Sequence, residues 1–279
     1  MCIRDSSIES FVSAFANKGF DFHFAVTTTD VRDVPTGQAG HFVGTPTIVT
    51  KDTPNLVSKI TSNTQVGING NADQHGFEAI TKALSETNLA GANAGFIRDE
   101  AYLAVIVLTD ADVTNTDISK DSVIERINAI KPDVRDPKTG KTKKQYSISA
   151  IVADDLNKQS CKDLAAKPPY GAFLELGTKF IEIAQETGGT IASICDTDFS
   201  AGLLNLSTGI LKAVSNIKLA REPEIETISV LFNGSPVPNS DTNGWSYDAN
   251  DISINFHGDY IPGENISVDI DFTPKDIVR

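Results

Sequence analysis

No stretch of the sequence approaches the roughly 20 consecutive apolar residues that a membrane-crossing helix needs. The most apolar run, residues 102–108, is only as long as a strand. A Cys-x-x-Cys pair is absent and the four histidines are scattered, so the pattern of a zinc site is missing. Basic residues are in the minority: 24 Lys and Arg stand against 37 Asp and Glu, a formal net charge of −13. Such a surface repels a nucleic-acid backbone, and no nucleic-acid partner is expected. His41, His75 and His257 have no serine or cysteine nucleophile motif near them. His23 sits within a strand pattern, where a packed histidine is expected rather than a catalyst.

What is present is enough for a core. The 279 residues are 40% hydrophobic and 22% charged, and the length suits one large domain, or one medium domain and a small one. Two of the three cysteines, Cys161 and Cys195, lie in the second half. Their spacing alone leaves open a disulfide in an oxidising compartment or two buried thiols in a reducing one. The opening Met1-Cys2-Ile3-Arg4-Asp5-Ser6 has neither periodicity nor signal-peptide character. It back-translates into something close to the transposon-end adapter of sequencing libraries; the plain alternative is a short natural tail. The expectation is that residues 1–6 are an artefact leader, Cys2 included, with the natural start upstream.

Along the chain, Ile8, Phe11, Val12 and Phe15 have helical spacing and Gly19 closes the segment. Residues 20–29 alternate as a strand, and 37–50 form an edge hairpin or short strand. Residues 63–76 are a polar loop that feeds a helix over 77–84. Residues 102–109 read as a strand buried on both faces of a parallel sheet, with Asp110 directly after it. A helix over 122–130 stops at Lys131-Pro132, and 133–144 is a solvated basic loop. A second buried strand spans 146–152, followed by a helix over 173–187, a short strand over 190–195 and a last helix over 201–214. This order implies an α/β fold in three layers over residues 7–215, with a mostly parallel sheet. From residue 216 to 279 alternating Ile, Val and Phe, punctuated by Asn233-Gly234, Asn243-Gly244 and Pro262-Gly263, imply a small antiparallel β module.

Several stretches, in order, resemble exported bacterial von Willebrand factor A-type proteins. They are Ala25-Val26-Thr27-Thr28-Thr29-Asp30, Val66-Gly67-Ile68-Asn69-Gly70, Asn93-Ala94-Gly95-Phe96-Ile97-Arg98 and the run from Leu103 to Asp110. Glu186-Thr187-Gly188-Gly189, Ile194-Cys195, Val230-Leu231-Phe232-Asn233-Gly234 and Gly244-Trp245-Ser246-Tyr247-Asp248 continue the likeness. The resemblance implies a Mg²⁺ or Ca²⁺ adhesion site at the carboxyl ends of the strands, built from hard oxygen donors. Asp110 matches its aspartate after the fourth strand. Asp73 or Gln74 is nearest to its second element, and Asp112 adds a carboxylate beside Asp110. The Asp-x-Ser-x-Ser element has no counterpart, so the cation is expected to be weak or absent here. The matching strand, central in such a sheet, is missing too. Strands 20–29 and 102–109 are then expected to flank an empty slot, or else to collapse together in a non-native pairing. The resemblance also implies a Cys161–Cys195 disulfide, contributing roughly 3–4 kcal/mol, and an extracytoplasmic location.

The function implied is recognition of a protein or cell-surface ligand, without enzymatic activity. A competing reading takes Asp110-Ala111-Asp112-Val113-Thr114 as the opening of a haloacid dehalogenase-type phosphatase, with Asp110 accepting the phosphoryl group and Asp112 as general acid and base. Asp154-Asp155 would then be its distal metal pair, but too few βα units separate the motifs. A third reading is a metal-free structural module. Trp245 and Tyr247 are expected in the core or turns of the β module.

Overall fold

The computed structural model describes residues 11–13, 20–34, 37–67, 75–114, 118–135, 142–167, 174–196, 199–263 and 265–275. Its centre is a parallel sheet of β3 (Leu103–Leu108), β6 (Tyr146–Val152) and β7 (Ile191–Ser193), in the order β3-β6-β7. Residues 103–108 run in register with 146–151, and 150–152 with 191–193. All seven residues of β6 are buried, as an apolar strand with neighbours on both edges should be. Its alternation serves two faces. Tyr146, Ile148, Ala150 and Val152 join Leu103, Val105 and Val107 under α2 (Gly76–Ala83), α4 (Lys120–Ile130) and α6 (Thr178–Thr187). On the other face Ile151, Ala104 and Ile106 pack with Ile60 of α1 (Leu56–Thr64), with Leu203, Leu206 and Ile210 of α7 (Phe199–Ser215), and with Phe11 and Val12.

A second, antiparallel ladder joins β1 (His23–Val26) to β2 (Val43–Thr50). Phe22 and Phe24 enter the same apolar cluster as Ala104 and Ile106. Arg98 donates to the carboxylate and the carbonyl of Asp21, and His23 Nδ1 lies 3.1 Å from the Phe96 carbonyl. The start of β1 is thereby tied to the segment that leads into β3. No strand among the described residues pairs with the outer edge of β3 or the free edge of β1.

Helix ends follow local chemistry. Ser119 caps α4 by accepting from Ser122 N at 3.1 Å, and Lys131 after it is almost fully buried. Its ammonium donates to the carbonyls of Arg98 and Asp99, and burial holds it below the usual lysine range. At the end of α6, Gly188 takes φ 71°, the left-handed conformation that favours glycine. A Cβ on Gly189 would stand 1.9 Å from the Ile148 carbonyl oxygen, so the chain passes β6 too closely for any side chain.

Several expectations change. The helix expected over 173–187 begins only at Thr178; residue 173 lies outside the described residues. Glu175 N donates to the Asp110 carbonyl and Gly177 N to that of Ala153, so residues 175–177 run across the strand ends and are not free to coil. The strand expected over 20–29 is reduced to four residues. The loop expected over 63–76 begins inside α1, where Asn63 is buried. Residues 68–74 lie outside the described residues. Within the basic stretch 133–144, β4 (Val134–Arg135) pairs with β5 (Thr142–Lys143). Helices α3 (Glu86–Ala90) and α5 (Gln159–Ala165) were not expected at all. After α7, β8 (Ile217–Lys218), β12 (Ser253–His257) and β11 (Gly244–Asp248) form one antiparallel sheet, in the order β11-β12-β8. Strands β9 (Ser229–Phe232), β10 (Ser235–Pro236) and β13 (Val268–Asp271) form another, in the order β10-β9-β13. Their shared core of Val230, Trp245, Ile254 and Phe256 includes Leu211 of α7 and packs against Phe20.

The sheet makes one amide-level prediction. Leu103 N donates to Gln145 O and Thr109 N to Ile151 O, so odd-numbered amides of β3 point at β6 and those of Ala104 and Ile106 point at the open edge. In native-state hydrogen exchange Ala104 and Ile106 should exchange at least about tenfold faster than Val105 and Val107, the factor for a hydrogen bond worth about 1.4 kcal/mol. Equal protection of all four would mean that a further strand pairs there.

Candidate functional site at the carboxyl end of the parallel sheet

The loop after β3 carries the acidic residues singled out in the sequence. Thr109 is buried, and its hydroxyl accepts from Ala111 N at 3.2 Å, tightening the turn. Asp110 is half-buried; its carbonyl accepts from Glu175 N at 2.9 Å. Its carboxylate takes part in no hydrogen bond or ion pair among the described residues. Asp112 is differently placed. Its carboxylate oxygens accept from Lys179 N at 3.2 and 3.3 Å, and its own amide donates to Glu175 Oε2 at 3.2 Å. Lys179 Nζ returns to the Val113 carbonyl at 2.6 Å. Gly177, at the head of α6, offers no capping side chain. Asp112, from a segment remote in sequence, fills that role and faces the positive end of the helix dipole.

Beyond β6, Asp154 Oδ1 accepts from Ser193 Oγ on β7, and Oδ2 pairs with Lys158. Burial works to raise the Asp154 carboxyl, but the hydrogen bonds from Lys158 and Ser193 and the lysine charge outweigh it and hold it below the ordinary value. Asp155 Oδ1 accepts from Asn157 N at 2.8 Å, a local turn contact. At the end of β1, Asp30 receives Arg32 Nε at 2.8 Å and Arg32 Nη2 at 2.6 Å. The arginine hydrogen bonds lower the Asp30 carboxyl.

Cys161 on α5 and Cys195 after β7 form a disulfide, their Cα atoms 4.7 Å apart, a separation that a disulfide spans. Ala153, Leu164, Leu174 and Ile194 pack around it. The bridge ties the helix after β6 to the loop after β7, at the same end as Asp110.

Of the metal ligands implied by the resemblance, Asp110 and Asp112 share one loop, while Asp73, like Gln74, lies outside the described residues. The described residues alone do not fit Mg²⁺ or Ca²⁺. Both oxygens of Asp112 face the Lys179 amide, and no three His, Cys, Asp or Glu side chains among the described residues form a group that could hold a metal ion. The partners that sequence reasoning missed are Glu175 and Lys179. Their only signal was a charged pair around the start of a helix. A separate cleft of about 420 Å³ between β2 and α1 is lined by Thr28, Gln38, Thr45, Lys59, Ser62 and Asn63, among others. None of the strand-end acids lines it.

No protein-family model matches the chain, and no curated protein matches it in sequence.

Two outcomes test this geometry. Asp112→Ala should lower the unfolding free energy by about 0.5–2 kcal/mol in urea, the range for a lost helix cap, while Asp112→Asn should retain most of the stability. Asp154 has a folded-state pKa below its unfolded value of 3.8, so its contribution is present above that pH and is lost as pH falls through the folded value. Asp154→Asn should therefore flatten the acid limb of the stability curve below about pH 4. An unchanged acid limb would show that the Lys158 and Ser193 contacts do not persist in solution.

Proposed function

We propose that the chain is a non-enzymatic recognition module of the von Willebrand factor A-like kind, acting in the cell envelope or outside the cell. The carboxyl end of its parallel sheet is the face that meets a protein or cell-surface ligand. The observation that carries this reading is how the loop after β3 uses its two acids. Asp112 is bound to the head of α6, while the half-buried Asp110 carboxylate is uncommitted among the described residues. Open α/β sheets bind ligands beyond the carboxyl ends of their strands, where Asp110 stands.

Three further observations support it. The ladder β2-β1 and the sheet β3-β6-β7 each have an edge, on β1 and on β3, that is unpaired among the described residues, which is in keeping with a family-like sheet whose central strand is left out. The disulfide suits an oxidising compartment. The net charge of −13 favours protein or surface partners over nucleic acid. Against phosphoryl transfer, the proposed acid and base, Asp112, is engaged as a helix cap. A cation would need donors beyond the described residues, the loop with Asp73 being the nearest source that the resemblance offers.

Retention of the purified chain on envelope preparations is expected to fall several-fold with Asp110→Lys, with the thermal midpoint unchanged. The wild-type chain is expected to turn over no phosphomonoester and to show no saturable thermal shift with Mg²⁺ or Ca²⁺. Turnover abolished by Asp110→Asn and Asp112→Asn would replace this reading with phosphoryl hydrolysis. A saturable shift abolished by Asp110→Asn would put a cation at Asp110.

A further inference from the structure

At the other end of β6, three residues from three separate segments meet. Lys143 of β5 directs Nζ to Asn216 Oδ1 at 2.8 Å. Asn216, between α7 and β8, turns its Nδ2 to Asp251 Oδ2 at 3.4 Å and to Ser253 Oγ at 3.2 Å. Asp251 lies in the turn between β11 and β12, and its Oδ1 stands 3.3 Å from Lys218 Nζ. All three are half-buried. An amine, a carboxamide and a carboxyl group are thus held in contact, in the order that amide exchange requires. The recognition face does not use them.

The geometry points to a covalent cross-link that this chain forms within itself: a side-chain amide between Lys143 and Asn216, with Asp251 moving the proton. The neutral Nζ of Lys143 adds its lone pair to Cγ of Asn216, and a new C–N bond forms. Asp251 takes the proton that Nζ sheds and passes it to Nδ2, the Cγ–Nδ2 bond breaks, and the nitrogen leaves as ammonia. An amine and a primary amide become a secondary amide and ammonia, so no oxidant, metal or cofactor is needed. Asn216 Nδ2 already faces the Asp251 oxygen, which points that carboxyl at the leaving nitrogen. The nucleophile needs only to move from the amide oxygen to the adjacent carbon, within near-attack distances of about 3–3.5 Å.

The surroundings favour the neutral amine. Burial holds Lys143 below the usual lysine range; Asp251 opposes this and the Lys218 charge assists it. Lys218 also balances the Asp251 carboxylate, and Ser253 restrains the Asn216 amide. Once formed, the bond would fasten the β4–β5 hairpin to the junction between α7 and the C-terminal sheets.

Intact-mass spectrometry of the purified full chain tests this directly. The expected result is a mass lower by one ammonia, about 17 Da, with proteolysis giving a branched peptide that joins the segments around Lys143 and Asn216. A succinimide at Asn233-Gly234 or Asn243-Gly244 would also lose ammonia, but it yields only linear peptides and regains water under mild alkali. Lys143→Arg, which keeps the charge, and Asp251→Ala should both restore the full mass. Full mass in the wild type after prolonged incubation, linear peptides alone, or a loss that persists in Lys143→Arg would each overturn the proposal. The branched peptide is sought in the wild-type chain, so its presence or absence does not depend on any variant folding.

Discussion

A buried strand has to find a partner for every amide and carbonyl on both of its edges, and in this protein the burdened strand is β6. β3 supplies one edge along nearly its full length. β7 is short and reaches only residues 150–152. Ahead of it the missing partners come from the end of α6 and the link that follows. Thr187 Oγ1 accepts from Ile148 N at 3.0 Å, and the Thr190 carbonyl accepts from Ala150 N at 3.0 Å. Gly189 passes against the Ile148 carbonyl where no Cβ fits. The segment Thr187-Gly188-Gly189 therefore substitutes for the strand that β7 does not extend. With its far end pinned to β6, α6 presents its head to the loop after β3, where Asp112 and Glu175 meet it. The capping of α6 by Asp112 is a downstream result of satisfying β6.

The long, strongly patterned elements are legible in the sequence. β3, β6, α4 and the antiparallel tail follow from period and turn chemistry, because burial on two faces or one leaves a plain signature. α1, α3 and α5 are not, although Leu56, Val57 and Ile60 carry helical spacing. They are short, α1 and α3 carry Ser, Thr and Asn, and their stability comes from docking more than from propensity. Asn93 shows a second limit. It is fully buried, accepting from Phe42 N and donating to the carbonyls of Gly40 and Ala83. Nothing local in the sequence distinguishes such a strut from a loop asparagine. The site is half legible for the same reason: Asp110 follows its strand visibly, but the partner of Asp112 is Lys179, 67 residues away.

Three of the acids near the strand ends are each held by a donor. Asp30 is held by Arg32, Asp154 by Lys158 and Ser193, and Asp112 by the first turn of α6. Arg32 and Lys158 also supply charge, while Asp112 is held by a backbone amide at the positive end of the helix dipole. Asp110 stands apart: its loop is anchored through backbone groups, and its carboxylate has no partner among the described residues.

The disulfide has a mechanical meaning if the protein is tethered at its ends. Cys161 and Cys195 enclose residues 162–194, which include all of α6 and β7. Tension travelling along the chain passes through the sulfur bridge and bypasses that loop, so neither element lengthens under load. The clamp that holds α5 to the end of β7 is thus also a strain relief for the part of the fold that positions Asp112.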